Sequence, residues 1–191
     1  MTTTLTPKAR AVLTAASELF YAQGIHAVGV DAIAERAGVT KKTLYDRFGS
    51  KDRLVVEYLR DRDAQWRTFL DPRIEAAGPV PAQRLAAIFD ASAEWAAERG
   101  TKGCGMVNAH AEISDPDHPA YRVIVGQKQW MLRLFRELAE AAGAGDQTES
   151  LAEEILLLHE GALVAAGIGV LPDAFARARD LAVSRLAAAV R

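Results

Sequence analysis

Asp31-Ala-Ile-Ala-Glu-Arg-Ala-Gly38-Val-Thr40-Lys41-Lys42-Thr43-Leu-Tyr45-Asp-Arg-Phe48 is the stretch that decides how the chain reads. It predicts two helices of about two turns each, Asp31–Ala37 and Lys41–Phe48, joined by a turn at Gly38. Gly38 supplies the positive φ that such a turn requires. Thr40 is placed to cap the second helix. Ala34 and Ala37 are small where two helices must cross closely. Ile33, Val39, Leu44 and Phe48 are spaced to share a small core with a helix upstream. The opposite face of the second helix then carries Lys41, Lys42, Thr43, Tyr45 and Arg47.

That face has the chemistry of a major-groove reader. The groove is ~12 Å wide and admits one helix. A helix N-terminus entering it brings free N–H groups and a positive dipole end. Lysines neutralise phosphates, hydroxyls donate to them, and aromatic or methyl groups meet thymine methyls. Lys51, just beyond Gly49-Ser50, is placed to reach a phosphate on the other wall. A solvated face on a helical hairpin is the competing reading. It leaves unexplained why Ala34, Gly38, Thr40, Tyr45 and Lys51 all stand at these positions.

Outward from this segment the chain reads as helix throughout. Thr6-Pro7 starts a helix that runs to Gly24 with Val12, Leu13, Ala16, Leu19 and Phe20 on one face. Ser50 caps a fourth helix, expected over Lys51–Leu70 and stopped at Asp71-Pro72. Five more are expected over 82–99, 106–113, 120–142, 148–170 and 173–190, the first following Gly78-Pro79-Val80-Pro81 and a break from Gly100 to Gly105. No strand pattern, repeat or low-complexity run appears. The expected fold is all-α with about nine helices. Residues 1–50 form a three-helix helix-turn-helix domain, and residues 51–191 a helical bundle for ligand binding and dimerisation, with the helix over 51–70 connecting them.

Composition fits this and narrows the function. Of 191 residues half are apolar and a quarter charged, the balance of a globular protein rather than a disordered or fibrous one. Net charge is −2, which alone says nothing of nucleic acid. Residues 1–60, however, hold nine Lys/Arg against six Asp/Glu, and the remainder fourteen against nineteen. A basic head on an acidic body suits one local polyanion contact. One cysteine excludes an internal disulfide. The N-terminus lacks an apolar signal core, and the longest apolar run, Gly161–Leu171, falls short of the ~18–20 residues that span a bilayer. The expectation is a cytoplasmic protein with no membrane partner.

In the C-terminal body most apolar stripes are explained by mutual burial. Phe89, Trp95, Met106, His110, Trp130 and His159 stand out as candidates for a small-molecule pocket, because aromatics with a few polar tips hold such ligands. Gly161, Ala162, Ala165 and Gly169 allow close helix approach, and Phe175 and Leu181 lie on the apolar stripe of the last helix. Together these are the candidate dimer interface. Cys104, in Gly103-Cys-Gly105 before a helix, is either a small residue in a tight turn or a redox or electrophile sensor. A helical enzyme or metal-binding protein without DNA affinity is the distant rival. No phosphate loop, nucleophile elbow or paired Glu-x-x-His occurs. His110-x-Glu112 and Asp115-x-Asp117-His118 are only partial metal patterns. Catalytic residues, metal and cofactor are all expected to be none.

The segment Ile33-Ala34, Ala37-Gly38-Val39-Thr40-Lys41, Thr43-Leu44-Tyr45, Phe48 and Ser50-Lys51 resembles the TetR family of bacterial transcriptional regulators. Ala-Ala-Ser-Glu-Leu-Phe20 followed by Gly24 fits as well. The resemblance implies a homodimer binding a near-palindromic operator on double-stranded DNA. It implies a repressor that a small molecule in the C-terminal domain releases. By position it makes Thr40, Lys41, Lys42, Thr43, Tyr45 and Lys51 the DNA contacts. One departure is Gly29, where the family commonly has a Ser or Thr that caps the second helix and touches phosphate. Lys42 stands where the family usually has a small residue.

Overall fold

The computed structural model describes residues 5–99 and 102–189, which are helix and loop with no strand among the described residues. The helices are α1 (Pro7–Gln23), α2 (Val30–Arg36), α3 (Lys41–Phe48), α4 (Lys51–Ala76), α5 (Pro81–Arg99), α6 (Gly105–Glu112), α7 (Tyr121–Ala142), α8 (Thr148–Ile168) and α9 (Ala174–Ala189), with a 3-10 turn over Gly145–Gln147 before α8. Gly100, expected to open the break before α6, and Val190, expected to end α9, lie outside the described residues.

Two compact units divide the chain. The head unit holds residues up to 63 together with 105–125; the body unit holds 64–104 and 126 onward. Compactness thus groups the first half of α4 and all of α6 with the head, whereas the sequence drew its boundary at residue 50/51.

In the head, local rules and packing agree. Thr6 caps α1 by accepting the Ala9 N–H on its Oγ1, and Pro7 follows at the first position. Gly24 ends the helix at φ +94°, with its N–H on the Phe20 carbonyl. α1 buries Val12, Leu13, Ala16 and Phe20. Ile33 and Ala34 of α2, Leu44 and Phe48 of α3, and Leu54, Val55, Tyr58 and Leu59 of α4 complete the core. Leu19 and Val39, expected inside, are half-buried. Gly38 turns the chain at φ +64°, and the Val39 N–H reaches back to the Ala34 carbonyl at 3.0 Å. These helices are too short to persist alone. Leu44, fully buried, is the anchor, and burial of such a side chain supports ~2–5 kcal/mol.

The body core centres on Leu85, Ile88, Phe89, Met131, Phe135 and Ile155. Its helices correct the sequence reading in three places. α4 does not stop at Asp71-Pro72 but continues to Ala76 with Pro72 inside. Pro72 removes one helical hydrogen bond, yet Arg73 holds the next turn. Its guanidinium lies 3.4 Å over the Phe69 ring, donates to the Phe69 carbonyl at 2.8 Å and pairs with Glu94. α8 ends at Ile168 rather than Val170, because Gly169 takes the left-handed cap at φ +78°. The stripe of α9 has a home within the protomer: Phe175, Ala178, Ala182 and Leu186 are buried as α9 packs on α8 and α5.

Candidate nucleic-acid interface

α3 is anchored by two buried side chains and exposes most of the rest of its surface. Leu44 and Phe48 face the head core, while Lys41, Lys42, Tyr45 and Arg47 are exposed. Thr40 caps the helix by accepting the Thr43 N–H at 3.1 Å, and the two hydroxyls lie 2.9 Å apart. The cap fixes where the helix begins and sets both hydroxyls at its N-terminal end. Lys42 is more open than Lys41, with its Nζ 4.0 Å from Asp46. Tyr45 is 39% exposed, enough for its ring edge to meet a partner while its base rests on the head.

Lys41 is engaged. Its Nζ donates to Asp31 of α2 at 3.0 Å, and the bond and charge of Asp31 raise its pKa above the ordinary lysine value. Lys51, at the start of α4, is half-buried, and its Nζ lies 3.5 Å from the His26 carbonyl in the α1–α2 loop. All six residues singled out in the sequence for DNA contact therefore lie in the head, on α3, its cap and the first residue of α4. Gly29 offers α2 no side-chain cap.

The other predicted residues are dispersed. His110 is exposed and lies in the head, its ring 5.9 Å from that of Tyr121; Met106 is buried in the same unit. α6, which carries both, belongs to the head unit, whereas the sequence reading placed them with the body. In the body, Phe89 and His159 do meet, with rings 5.5 Å apart. His159 also meets Phe135 at 5.6 Å, and its Nε2 lies 2.9 Å from the Ser92 hydroxyl. Burial pushes the His159 pKa below the ordinary histidine value, so the ring is neutral at pH 7. Trp95 packs instead against Trp66 and Phe69, and Trp130 lies under Arg67 at 4.0 Å.

Of the predicted dimer residues, Ala162 and Phe175 are buried in the body's own core. Ala165 is half-buried, and Gly161, Gly169 and Leu181 are exposed. The sequence reading missed Leu157, Val164 and Ile168, which stand 73%, 44% and 74% exposed on α8. With Gly161 they recur at spacings of four, three and four, which is one helical stripe. It also missed Lys128 and Glu160. The Lys128 Nζ lies 2.7 and 2.8 Å from the two Glu160 oxygens and 3.3 Å from the Cys104 sulfur. Burial lowers the lysine pKa, but its two partners more than offset that and leave it raised. Among the described residues no group of three or more His, Cys, Asp or Glu is arranged to hold a metal. Asp115 instead accepts the Asp117 N–H at 2.9 Å, a turn contact.

A short helix pair locked at its base, with a cationic and hydroxyl-bearing outer face, defines a helix-turn-helix DNA-binding regulator of transcription. The profile of the family described as bacterial regulatory proteins, tetR family, matches residues 12–58, and that of the tetracyclin repressor-like C-terminal domain matches residues 81–182. Transcriptional regulator AcuR of Cereibacter sphaeroides is 30% identical over 159 residues, 79% of this chain and 72% of that protein. HTH-type transcriptional activator FasR of Mycolicibacterium smegmatis is 51% identical over 49 residues, 26% of this chain and only 22% of that protein. Among solved structures, a TetR-family transcriptional regulator from Streptomyces coelicolor superposes with a TM-score of 0.83 at 29% identity, covering 97% of this chain and 95% of that one. The regulatory protein TetR from Rhodobacter sphaeroides gives 0.81 at 22% identity, covering 94% and 99%. The chain belongs to the TetR family of transcriptional regulators.

The Lys41–Asp31 pair yields a prediction. Asp31→Asn frees the Lys41 ammonium and removes the anion beside it. Duplex affinity should rise by roughly three- to tenfold with a steeper salt dependence, measured by fluorescence anisotropy. Weaker binding would mean that Asp31 holds Lys41 in its working pose.

Proposed function

We propose that the protein binds a near-palindromic operator as a homodimer, represses transcription from it in the cytoplasm, and is released by a small molecule held in the body unit. The observation that carries the DNA part is the anchoring of α3. With Leu44 and Phe48 buried, Lys41, Lys42 and Tyr45 are left exposed on α3 with Thr43 half-buried among them, and Thr40 and Lys51 flank the helix. Lysines supply the phosphate contacts; the hydroxyls and Tyr45 supply contacts to phosphates or base edges. Replacing Lys41 and Lys42 together by Ala should leave the melting temperature unchanged and weaken operator binding. The salt slope should fall by about two. An unaltered slope would remove both lysines from the interface.

Dimerisation is assigned to the outer stripe of α8. Leu157, Gly161, Val164 and Ile168 present apolar surface around a glycine, and Leu181 of α9, the helix packed on α8, is exposed as well. A two-fold axis would pair such a stripe with its own copy. Leu157→Glu with Ile168→Glu should give a folded monomer by sedimentation that binds single half-sites weakly. A dimer surviving both charges would place the seam elsewhere.

The effector reading rests on the body's interior. Phe89 and His159 offer an aromatic wall with one neutral ring, and Trp95 and Trp130 lie in the same unit. A second reading is favoured by one contact: the Lys128 ammonium 3.3 Å from the half-buried Cys104 sulfur. In it the Cys104 sulfur adds to the activated C=C of a conjugated carbonyl compound: the S–C bond forms as the π bond breaks, the thiol proton leaves to solvent, the resulting enolate carbon takes a proton from solvent, and the added bulk displaces Lys128 from Glu160. Treating the operator complex with N-ethylmaleimide should then release DNA from the wild type and leave Cys104→Ser bound. Equal release from both would end this reading.

A further inference from the structure

Glu112 occupies a position that local rules disfavour. It is the last residue of α6, where the helix dipole is negative and a cation is the expected occupant. What offsets this is a contact far away in sequence. Its Oε1 accepts the Ile25 N–H at 2.8 Å and its Oε2 accepts the His26 N–H at 2.7 Å. Two consecutive amides of the α1–α2 loop thus converge on one carboxylate, the arrangement that binds anions in backbone nests. The His26 ring adds Nδ1 at 3.5 Å. Gly24 borders the seat: its φ of +94° calls for glycine, and a Cβ there would stand in tight contact, 3.1 Å, with Glu112 Oε1.

The same residue is held through its other backbone group. The His26 carbonyl is the acceptor facing Lys51 Nζ at 3.5 Å. Its N–H is on Glu112 and its C=O faces Lys51, so the two ionised side chains bracket residue 26 at opposite poles. We propose that Glu112 is a positioning residue for operator binding: it fixes the Ile25–His26 loop and thereby sets the direction of Lys51 toward the DNA backbone. This rests on the assignment of Lys51 to phosphate made above. Glu112 itself carries the wrong charge to touch DNA and acts only through the loop. Charge-assisted bonds to two amides are the stronger kind, so the clamp is stiff compared with a neutral turn.

The test is a double-mutant cycle on operator affinity, using a duplex selected by the wild-type protein from a random pool. Glu112→Gln keeps the shape but turns an NH2 group toward one of the two amides. It should weaken binding roughly tenfold, the fold-change that one lost charged hydrogen bond produces. In a Lys51→Ala background the same substitution should cost less than about twofold, because the group it orients is gone. Equal losses in both backgrounds, or no loss in either, overturn the proposal. Amide exchange gives a readout independent of DNA. Ile25 and His26 N–H should be protected in the wild type and exchange faster in Glu112→Gln, while the Leu44 amide of α3 is unchanged. Rapid exchange at 25 and 26 in the wild type overturns the clamp itself. Should Glu112→Gln fail to fold, Glu112→Asp, which keeps the charge and shortens the reach, takes its place in both measurements. A wild type that ignores every duplex sinks the operator reading along with this one, whereas protected amides with ordinary binding and no effect of the substitution sink this one alone.

Discussion

The structure depends on a helix of eight residues, Lys41–Phe48, that buries two side chains and exposes nearly everything else. Such a helix has no stability of its own in water. Leu44 and Phe48 lend it the stability of the head core, and the Thr40 cap and the Gly38 turn fix where it begins. Once those four positions are set, the directions of Lys41, Lys42 and Tyr45 follow from helical geometry alone. The rest of the head serves to keep that base rigid: α1 and α2 pack on it and on each other, with Ile33 and Ala34 of α2 buried.

A reader of duplex DNA needs its cations available, and the head manages this unevenly. Lys42 is open, Lys41 is tied to Asp31, and Lys51 leans on a loop carbonyl. Lys41 and Lys51 are therefore preoriented by contacts within the head. Preorientation lowers the entropy lost on binding, and the exchangeable partners set how much charge is presented before DNA arrives. Regulation has room to act on such a balance without altering α3 itself.

The head was legible because each of its signals is local. Thr6-Pro7, Gly24, Gly38, Thr40 and Ser50 announce helix ends through capping chemistry, and α3 begins and ends where that chemistry says. The body was less legible because its decisions are tertiary. Pro72 normally stops a helix, but Arg73, stacked on Phe69 and paired with Glu94, carries α4 onward, and nothing near Pro72 in the chain foretells Glu94. His110 has the spacing of an inward residue on α6, yet which side of a short helix faces inward is set by its neighbours. α8 is apolar nearly all round, so its pattern could not say which side the protomer buries. α5 and α9 take Ala162 and the α9 stripe, leaving Leu157, Val164 and Ile168 outside. Lys128 and Glu160 read as ordinary surface charges until the fold brings them together beside Cys104.

The central claim is that α3 is the surface laid on DNA. Backbone amide resonances of the full chain, followed as a cognate duplex is added, test it directly. The account predicts that the largest shifts fall on residues 40–47, with Lys51 and the loop before α2 next and the α8 stripe silent. Shifts centred on α8 or scattered through the body, with α3 unmoved at saturation, would contradict it.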